Sequence, residues 1–410
     1  MLQSEHELLT ELRAILTNQR YNPTVIRNHC TYAQEFLDYL QHRGICVTDV
    51  TEAQVERYLD YAIALFRKRR GRHPSERWHA VPRSAIHALL RLGQGQWPPS
   101  EKVTCDADAL RITICNEYET WLREERGLAQ ASIDAFLWEA RYFLAWQLNR
   151  CGADGLEAVT VGEIDSYMDL RGSKLTRSSL KSTAERLRSL LRYLHWTARV
   201  AEDLTPHIIA PRLYAYEGVP SILERDQIAA VLASVSKDKT AAGLRDHAIL
   251  QVLATYGLRA SEVRNMRIED IDWRAEVIRV RHNKTQAYTF LPLMGPVGEA
   301  ILAYLRSGRP ATDARELFIR TRAPYCKLEK IYSLIRQRLR DAGVKPSGRS
   351  GPHIFRHARA TELLRAAVSK KVIGDLLGHR SVGSTAPYLK LATEDLRAIA
   401  LDVPGPEVLA

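Results

Sequence analysis

Six side chains in the second half of the sequence could act together on a negatively charged substrate. They are two arginines, a lysine, two histidines and a tyrosine: Arg259, Lys284, His353, Arg356, His379 and Tyr388. Arginine and lysine are positively charged at neutral pH, and histidine exchanges protons near neutrality. A tyrosine hydroxyl becomes a nucleophile once its proton is removed. This combination of groups suits the chemistry of phosphate esters, whose oxygens carry negative charge.

The six residues lie in four separated motifs. Arg259 lies in YGLRASEVRNMR, directly after an apolar helical pattern, and Lys284 lies in HNKTQAYTFLPL, between two strand-like segments. His353 and Arg356 of the segment HIFR are three residues apart, which places them on one face of a helix. The last motif, LLGHRSVGSTAPYLK, separates its histidine from its tyrosine by nine residues. Each motif alone has an ordinary structural explanation, so their order and spacing carry the argument.

In this order the motifs resemble the catalytic domain of the tyrosine recombinase, or phage integrase, family. That family carries an arginine, a lysine in a β-hairpin, an HxxR pair, a histidine or tryptophan in an LGH segment, and a nucleophilic tyrosine. The contexts LRASEV, HIFRHARAT and LLGHRSVGSTAPYLK look like those of the family, and so does the 26-residue distance from HxxR to LGH. The resemblance covers about residues 220–400. It implies site-specific DNA recombination, as in integration, excision or transposition of a mobile element.

The resemblance also implies a role for each polar group in proton and phosphoryl transfer. Tyr388 would attack the phosphodiester and form a covalent 3′-phosphotyrosine, which stores the bond energy for rejoining. His353 would accept the proton of the tyrosine, because histidine titrates nearest to neutral pH. Lys284, at the tip of a hairpin, would protonate the departing 5′ oxygen.

The remaining groups of the set would neutralise charge on the phosphate. Arg259 and Arg356 would donate planar, bidentate hydrogen bonds to the non-bridging oxygens. His379 would donate a further hydrogen bond to the phosphoryl oxygen. We expect no metal and no other cofactor, because these side chains supply the positive charge themselves. Two neighbouring residues stay outside this set. Glu262 is either a brace of the active site or a plain surface carboxylate, and His357 is either a supporting partner of Arg356 or a packed histidine.

The elements that must position these residues can be predicted from periodicity. Apolar residues recur at three- and four-residue spacing in 224–236 and 243–257, as in amphipathic helices. Residues 276–282 and 287–293 are rich in β-branched and aromatic residues and predict two strands joined by a short turn. The chain from Gly295 onwards is again helical in pattern. We therefore predict a mainly α fold with a small antiparallel β-sheet, and an integrase-type catalytic domain over 220–402.

The first 200 residues contain an internal similarity that predicts two helical modules. Three pairs of segments match: AQEFLDY with ARYFLAW, VTEAQVERYLD with VTVGEIDSYMD, and AIHALLRL with LRSLLRYL. The module at 106–203 resembles the helical, SAM-like core-binding domain of the family, which binds DNA. The module at 1–98 matches the family only as a candidate second copy of that domain. Linkers are predicted near 96–100 and 203–221, where prolines cluster.

The charge of the chain favours a polyanionic partner. The 410 residues carry a formal net charge of +11 with a pI near 9.4, and 45% of them are hydrophobic, which excludes a disordered chain. Residues 301–350 contain 12 basic and 4 acidic side chains, so a surface facing phosphate is expected there. The basic run in 67–77 is either an exposed loop or a contact to the DNA backbone. Double-stranded DNA is the predicted partner.

The start of the sequence is acidic and has no apolar segment of the kind that a secretory signal requires. No apolar run approaches the length that spans a bilayer, and a cytoplasmic protein without membrane association is expected. The six cysteines lie far apart without a CxxC pair, so they predict buried thiols in a reducing compartment rather than a zinc site or disulfides.

Three other functions are weighed against recombination. A type IB topoisomerase uses the same nucleophile and cations, although the LGH context and the paired helical modules favour recombination. A non-catalytic DNA-binding accessory protein would have no reason to keep all six polar groups. A histidine-based phosphatase or metallohydrolase lacks metal-spaced carboxylates. The resemblance further implies a homotetramer on two DNA sites, with other recombinases or accessory proteins as further partners. The recognition site and the kind of mobile element stay open.

Overall fold

The computed structural model describes residues 5–75, 78–99, 103–157, 159–214, 221–282, 287–348 and 350–378. The described chain is mainly helical and has a small antiparallel sheet, which confirms the predicted fold class. The chain divides into two compact units, residues 1–99 together with 218–410, and residues 100–217. Among the described residues no helix is both long and apolar enough to cross a membrane.

The N-terminal module of the first unit contains four helices around its own apolar core. The helices are α1 (Glu5–Asn18), α2 (Pro23–Gln41), α3 (Glu52–Arg70) and α4 (Ala80–Gln94). Within this unit, Arg20 Nη1 of the module donates a hydrogen bond to the carbonyl of Ala311 at 2.9 Å. The predicted linker near 96–100 begins inside this core, because the Trp97 side chain is buried and its ring lies 5.6 Å from that of His87.

The second unit repeats this arrangement of four helices around a separate core. Its helices are α5 (Asp106–Glu124), α6 (Gln130–Cys151), α7 (Val161–Gly172) and α8 (Arg177–Trp196). The matching sequence segments lie on α2 and α6, on α3 and α7, and on α4 and α8. Each pair therefore occupies the same place in the order of helices.

The two modules also repeat individual side-chain contacts. Phe36 meets Tyr58 edge to face at 4.9 Å between ring centroids, and at the matched positions Phe143 meets Tyr167 at 5.0 Å. A cation–π contact of 4.6 Å recurs in each module: Arg43 over Tyr39, and Arg150 over Trp146. The internal similarity thus extends from sequence to packing geometry, since ring contacts of this kind depend on the relative placement of two helices.

The modules differ at one buried position. In the second unit the carboxylate of Glu139, 1% exposed, accepts hydrogen bonds from Tyr167, Arg171 and Thr183. The positions of the first module that match Glu139 and Arg171 are occupied by Tyr32 and Ala62. A buried ion pair in one module is therefore replaced by uncharged side chains in the other.

The region 221–378 is built around α10, which packs against α9, α12 and α14. Its helices are α9 (Arg225–Val235), α10 (Ala241–Tyr256), α11 (Ala260–Asn265), α12 (Gly295–Ser307), α13 (Tyr332–Asp341), α14 (His353–Arg365) and α15 (Lys370–Leu377). The two helices predicted at 224–236 and 243–257 are confirmed by α9 and α10.

The sheet of this region has the order β1–β2–β3, with both pairs antiparallel. Its strands are β1 (Ile271–Asp272), β2 (Val277–Arg281) and β3 (Tyr288–Pro292). The two predicted strands are confirmed, whereas β1 was not predicted because two residues are too few to show alternation. In the hairpin of β2 and β3, Val280 lies opposite Thr289. In this register β2 ends and β3 begins on either side of residues 283–286, the segment that contains Lys284.

Two predictions about surface and interior need correction. All six cysteines are free thiols as expected, but only Cys30 and Cys115 are buried. The other four are exposed, because they cap helix ends or lie in loops: Cys46, Cys105, Cys151 and Cys326.

The basic excess in 301–350 does not face solvent throughout. The Arg338 side chain is 15% exposed and forms ion pairs with Asp238 and Asp246, at 2.9 and 2.8 Å. Arg309 donates hydrogen bonds to backbone carbonyls of the same segment. Eight other basic residues of the range are exposed: Arg306, Arg315, Arg320, Arg322, Lys330, Arg336, Arg340 and Lys345. The surface charge is therefore smaller than the count of residues suggests, yet it is still positive.

Candidate active site

Arg259 begins helix α11, and its geometry depends on Glu262 one turn later. The Glu262 carboxylate accepts a hydrogen bond from the Arg259 backbone N–H at 2.7 Å and from Nη1 of its guanidinium at 2.9 Å. Burial raises the pKa of Glu262, but the hydrogen bonds from His282 and Arg259 outweigh burial and leave that pKa below its ordinary value. An ionised carboxylate, 3% exposed, therefore braces the arginine.

Arg356 lies on α14 and is also buried, at 3% exposure. Its Nη1 donates to the carbonyl of Gly257 at 3.0 Å, and its Nη2 donates to the carbonyl of Leu377 at 2.6 Å. Arg259 donates to the next carbonyl along, that of Gly378, at 3.0 Å. Carbonyls at the C-terminal end of a helix carry partial negative charge, which attracts cations. The two guanidiniums thus meet at consecutive carbonyls where α15 ends.

Gly257 allows this close approach. It ends α10 with a φ of +63°, a left-handed conformation that suits glycine. A Cβ at this position would lie 3.1 Å from the side chain of Leu377 and 3.4 Å from the Cα of Arg356. The absence of a side chain therefore lets α14 and α15 pack directly against the turn that leads into Arg259.

His353 is the first residue of α14 and lies in the same helix as Arg356, as the HxxR spacing predicts. Its side chain is exposed and borders a cleft of about 920 Å³ that is also lined by Arg264, Lys330 and Tyr332. His353 therefore faces a cavity, whereas Arg356, one turn later in the same helix, is buried. A histidine at the rim of a basic cleft can exchange protons with a bound anionic substrate.

His357 follows Arg356 and is a neutral packing residue in this structure. Burial lowers its pKa to about 4, and its neighbours His353 and Arg356 act in the same direction. Because the ring is uncharged at neutral pH, it adds no charge beside the two arginines.

Three residues of the predicted catalytic set lie outside the described residues: Lys284, His379 and Tyr388. The structure does describe residues next to two of these segments. His282 and Ala287 flank residues 283–286, which contain Lys284, and Gly378 directly precedes His379. Of the six predicted residues, the structure brings Arg259 and Arg356 together and places His353 one helical turn away.

The sequence analysis missed His282. This histidine is buried, at 3% exposure, and its Nδ1 atom lies 2.8 Å from Glu262 Oε1. A polar residue beside a predicted turn gave no reason to expect burial. The only signal was its position two residues before Lys284.

Comparison with known proteins finds integrases and recombinases. Residues 221–395 match the model of the phage integrase family. The chain is 82% identical over 192 residues to a Sinorhizobium fredii protein described as an integrase/recombinase, y4gC, a match that spans 47% of this chain and all of y4gC. It is 31% identical over 396 residues to a second such protein from that organism, y4rA, with 95% of this chain and 92% of y4rA covered.

Solved structures share the fold at low sequence identity. The XerH site-specific recombinase bound to a palindromic difH substrate matches with a TM-score of 0.57 at 14% identity, over 73% of this chain and 90% of that one. A lambda integrase dimer bound to a COC′ core site matches with a TM-score of 0.54 at 17% identity, over 77% and 88% of the two chains. The family model and the match to y4rA along nearly the whole chain show that the chain belongs to the phage integrase family of tyrosine recombinases.

Proposed function

We propose that this recombinase cuts and rejoins double-stranded DNA at specific sites through a covalent 3′-phosphotyrosine intermediate. The observation that carries the proposal is the convergence of Arg259 and Arg356 on consecutive carbonyls next to His379. Two buried or half-buried guanidiniums at one point form a site for an anion with several oxygens. A phosphodiester at a DNA cleavage site is such an anion.

In the proposed reaction the Tyr388 oxygen attacks phosphorus while its proton passes to His353. A bond forms between phosphorus and the tyrosine oxygen, and the bond between phosphorus and the 5′ oxygen breaks. The departing oxygen takes a proton from Lys284 and leaves as a 5′ hydroxyl. Attack by the 5′ hydroxyl of another strand reverses these steps and rejoins the DNA without an external energy source.

The cations act on the charge that develops during attack. Arg259 and Arg356 would bind the non-bridging oxygens, with His379 as a third donor. The Glu262 carboxylate keeps Arg259 in one orientation, so little reorganisation is needed when the phosphate binds. The chemistry requires no cofactor, because protein side chains supply both the positive charge and the protons.

The DNA would be held by the helical modules as well as by the catalytic region. The exposed basic surface of 301–350 supports a contact to the phosphate backbone. Structures of recombinases with this fold contain DNA, including a lambda integrase dimer on a core site and a Tn1549 transposon integrase with transposon right-end DNA. We infer by analogy that this chain assembles as a homotetramer on two DNA sites and serves a mobile element.

Residues 1–98 are proposed to be a second copy of the core-binding module at 106–203. The end of α3 carries an exposed cluster of basic side chains: Arg67, Lys68, Arg69, Arg70 and Arg72. Such a cluster can contact a phosphate backbone and would extend the footprint of the protein away from the cleavage site. The competing role for this module is protein–protein contact in assembly of the recombining complex.

The proposed function is tested by trapping the covalent intermediate. Duplexes that the full chain selects from a random-sequence pool are made as nicked suicide substrates, so that the cleaved strand cannot be rejoined. We expect a DNA adduct that resists denaturation, and we expect Tyr388→Phe to lose it while its DNA affinity changes less than about twofold. Tyr332→Phe removes a hydroxyl from the cleft beside His353 and is the matched control.

The outcomes separate the candidate functions. An adduct that persists in Tyr388→Phe would assign the nucleophile to another residue, and wild-type protein without any adduct would favour an accessory protein. Strand exchange between two sites, compared with relaxation of supercoiled DNA, then distinguishes a recombinase from a topoisomerase.

A further inference from the structure

We propose that His282 is a positioning residue that holds the Lys284 turn in register with Arg259; this rests on the proposed function, in which Lys284 protonates the leaving oxygen. His282 follows the last residue of β2 and lies two residues before Lys284. It is one of the few buried polar residues of the described catalytic region. Its ring therefore links the hairpin of β2 and β3 to the protein interior.

His282 ties together both strands of the hairpin. Its backbone N–H donates to the carbonyl of Ala287 at 2.9 Å, across the turn. Its Nε2 lies 2.8 Å from the hydroxyl of Thr289, which belongs to β3. The two contacts together join the end of β2 to the start of β3.

The same ring is bound to the brace of Arg259. Its Nδ1 lies 2.8 Å from Glu262 Oε1, the oxygen that also accepts the Arg259 Nη1 hydrogen bond at 2.9 Å. A carboxylate oxygen only accepts, so Nδ1 carries the proton and donates. Through one oxygen atom, the base of the Lys284 turn and a phosphate-binding guanidinium are placed relative to each other.

A third segment meets the ring at Gly378. A Cβ added to Gly378 would lie 2.5 Å from Cε1 of His282, so the ring occupies the space that any side chain would need. The carbonyl of Gly378 accepts the hydrogen bond from Arg259 Nη2 at 3.0 Å. His282 thus lies where the hairpin, the start of α11 and the end of α15 come together.

These contacts predict a defect confined to one chemical step. Without the Nδ1–H donor of His282, the end of β2 loses its hydrogen bond to Glu262. Lys284, two residues later, would then no longer be held within reach of the 5′ oxygen. Departure of that oxygen needs a proton, whereas a sulfur in the same position leaves as a thiolate, because thiols have a pKa near 8.5. A 5′-bridging phosphorothiolate substrate therefore bypasses the proton donor.

The test compares single-turnover cleavage of oxygen and sulfur substrates by the full chain, on duplexes chosen by selection from a random-sequence pool. His282→Phe keeps a ring but removes both nitrogens, and His282→Asn keeps an N–H near Nδ1. We expect His282→Phe to cleave the oxygen substrate about 100-fold more slowly and the sulfur substrate within about threefold of wild type, in line with the contribution of general acids. His282→Asn should recover part of the rate on the oxygen substrate.

Two further variants serve as controls. Glu262→Gln removes the brace of Arg259 and should slow cleavage of both substrates. His247→Phe replaces a half-buried histidine on α10 and should leave both rates unchanged. Melting temperatures and DNA affinities of all variants show whether each one is folded and binds.

Folded His282→Phe with a wild-type rate on the oxygen substrate would overturn the inference, as would equal slowing on both substrates. If His282→Phe does not fold, the two substrates are compared with His282→Asn instead. A rate that differs from wild type by the same factor on both substrates would then overturn the inference. Wild-type protein that forms no adduct on any selected duplex would instead overturn the proposed function, and the inference with it.

Discussion

The buried ion pair between Glu139 and Arg171 in the second unit should contribute strongly to the stability of that unit. Glu139 accepts hydrogen bonds from Arg171 and Thr183, each at 3.1 Å, and from the hydroxyl of Tyr167. The guanidinium of Arg171 also lies over the rings of Trp138 and Tyr142, at 4.9 and 4.5 Å. Glu139→Ala would leave that guanidinium buried without its carboxylate.

The expected cost follows from burial on both sides of the pair. The Arg171 and Glu139 side chains are 5% and 1% exposed, so water cannot replace the missing partner. Removal of one member of a buried pair costs about 3–5 kcal/mol of unfolding free energy. For a unit of this size, that loss corresponds to a drop in melting temperature of roughly 10–20 °C.

The first module supplies a matched control, because Tyr32 and Ala62 occupy the equivalent positions. The double replacement Glu139→Tyr with Arg171→Ala copies that arrangement and leaves no buried charge. We expect it to be less destabilising than Glu139→Ala by about 3 kcal/mol or more, since replacement of a whole buried pair by uncharged groups is close to neutral.

The measurement is urea unfolding of the full chain, followed by calorimetry to separate the transition of residues 100–217 from that of the other unit. Only the former should move. Equal losses of unfolding free energy in the single and the double variant would refute the reasoning. They would show that the loss comes from missing side-chain contacts and not from an uncompensated buried charge. A loss below 1 kcal/mol for Glu139→Ala would refute it as well.

Three further predictions concern DNA binding and pH. Affinity for DNA should fall with salt, with a slope of log K against log salt of about −0.9 for each phosphate neutralised, and a slope near zero would show that the basic surfaces make no contact. Deletion of 1–98 should shorten the footprint while cleavage of a minimal suicide site is retained; an unchanged footprint with loss of recombination would favour the assembly role. Stability should fall as the pH drops from about 6.5 to 4, because His357 has a lower pKa in the folded chain (about 4) than in the unfolded one. That difference corresponds to about 3 kcal/mol, reduced to ~1–2 kcal/mol by partial exposure of the ring, and His357→Phe should flatten the pH profile; an identical profile in the variant would contradict it.

Local patterns in the sequence were enough to predict several of the elements and the helix that carries His353 and Arg356. The helices α9 and α10 and the strands β2 and β3 follow from periodicity, which depends on neighbouring residues only. The HxxR spacing correctly placed His353 and Arg356 in one helix. The order of the motifs identified the family resemblance, because motif order can be read directly from the sequence.

The relations between these elements were decided by the tertiary structure. Arg259 is bonded to a carbonyl 119 residues away, and Arg356 to one 99 residues away. No local pattern encodes such pairs, which arise when the whole core closes around α10. The roles of Glu262 and His282 belong to this class, since each depends on partners from other elements.

The burial of individual side chains likewise could not be predicted from the sequence. Arg338 belongs to a basic segment yet pairs with two aspartates inside the unit, and Trp97 belongs to a proline-rich linker yet packs in a core. A charged or aromatic side chain goes where its partners are, and those partners are brought near only by folding. The sequence by itself therefore determined which chemical groups the protein carries and in what order, and the tertiary structure decided which of them meet.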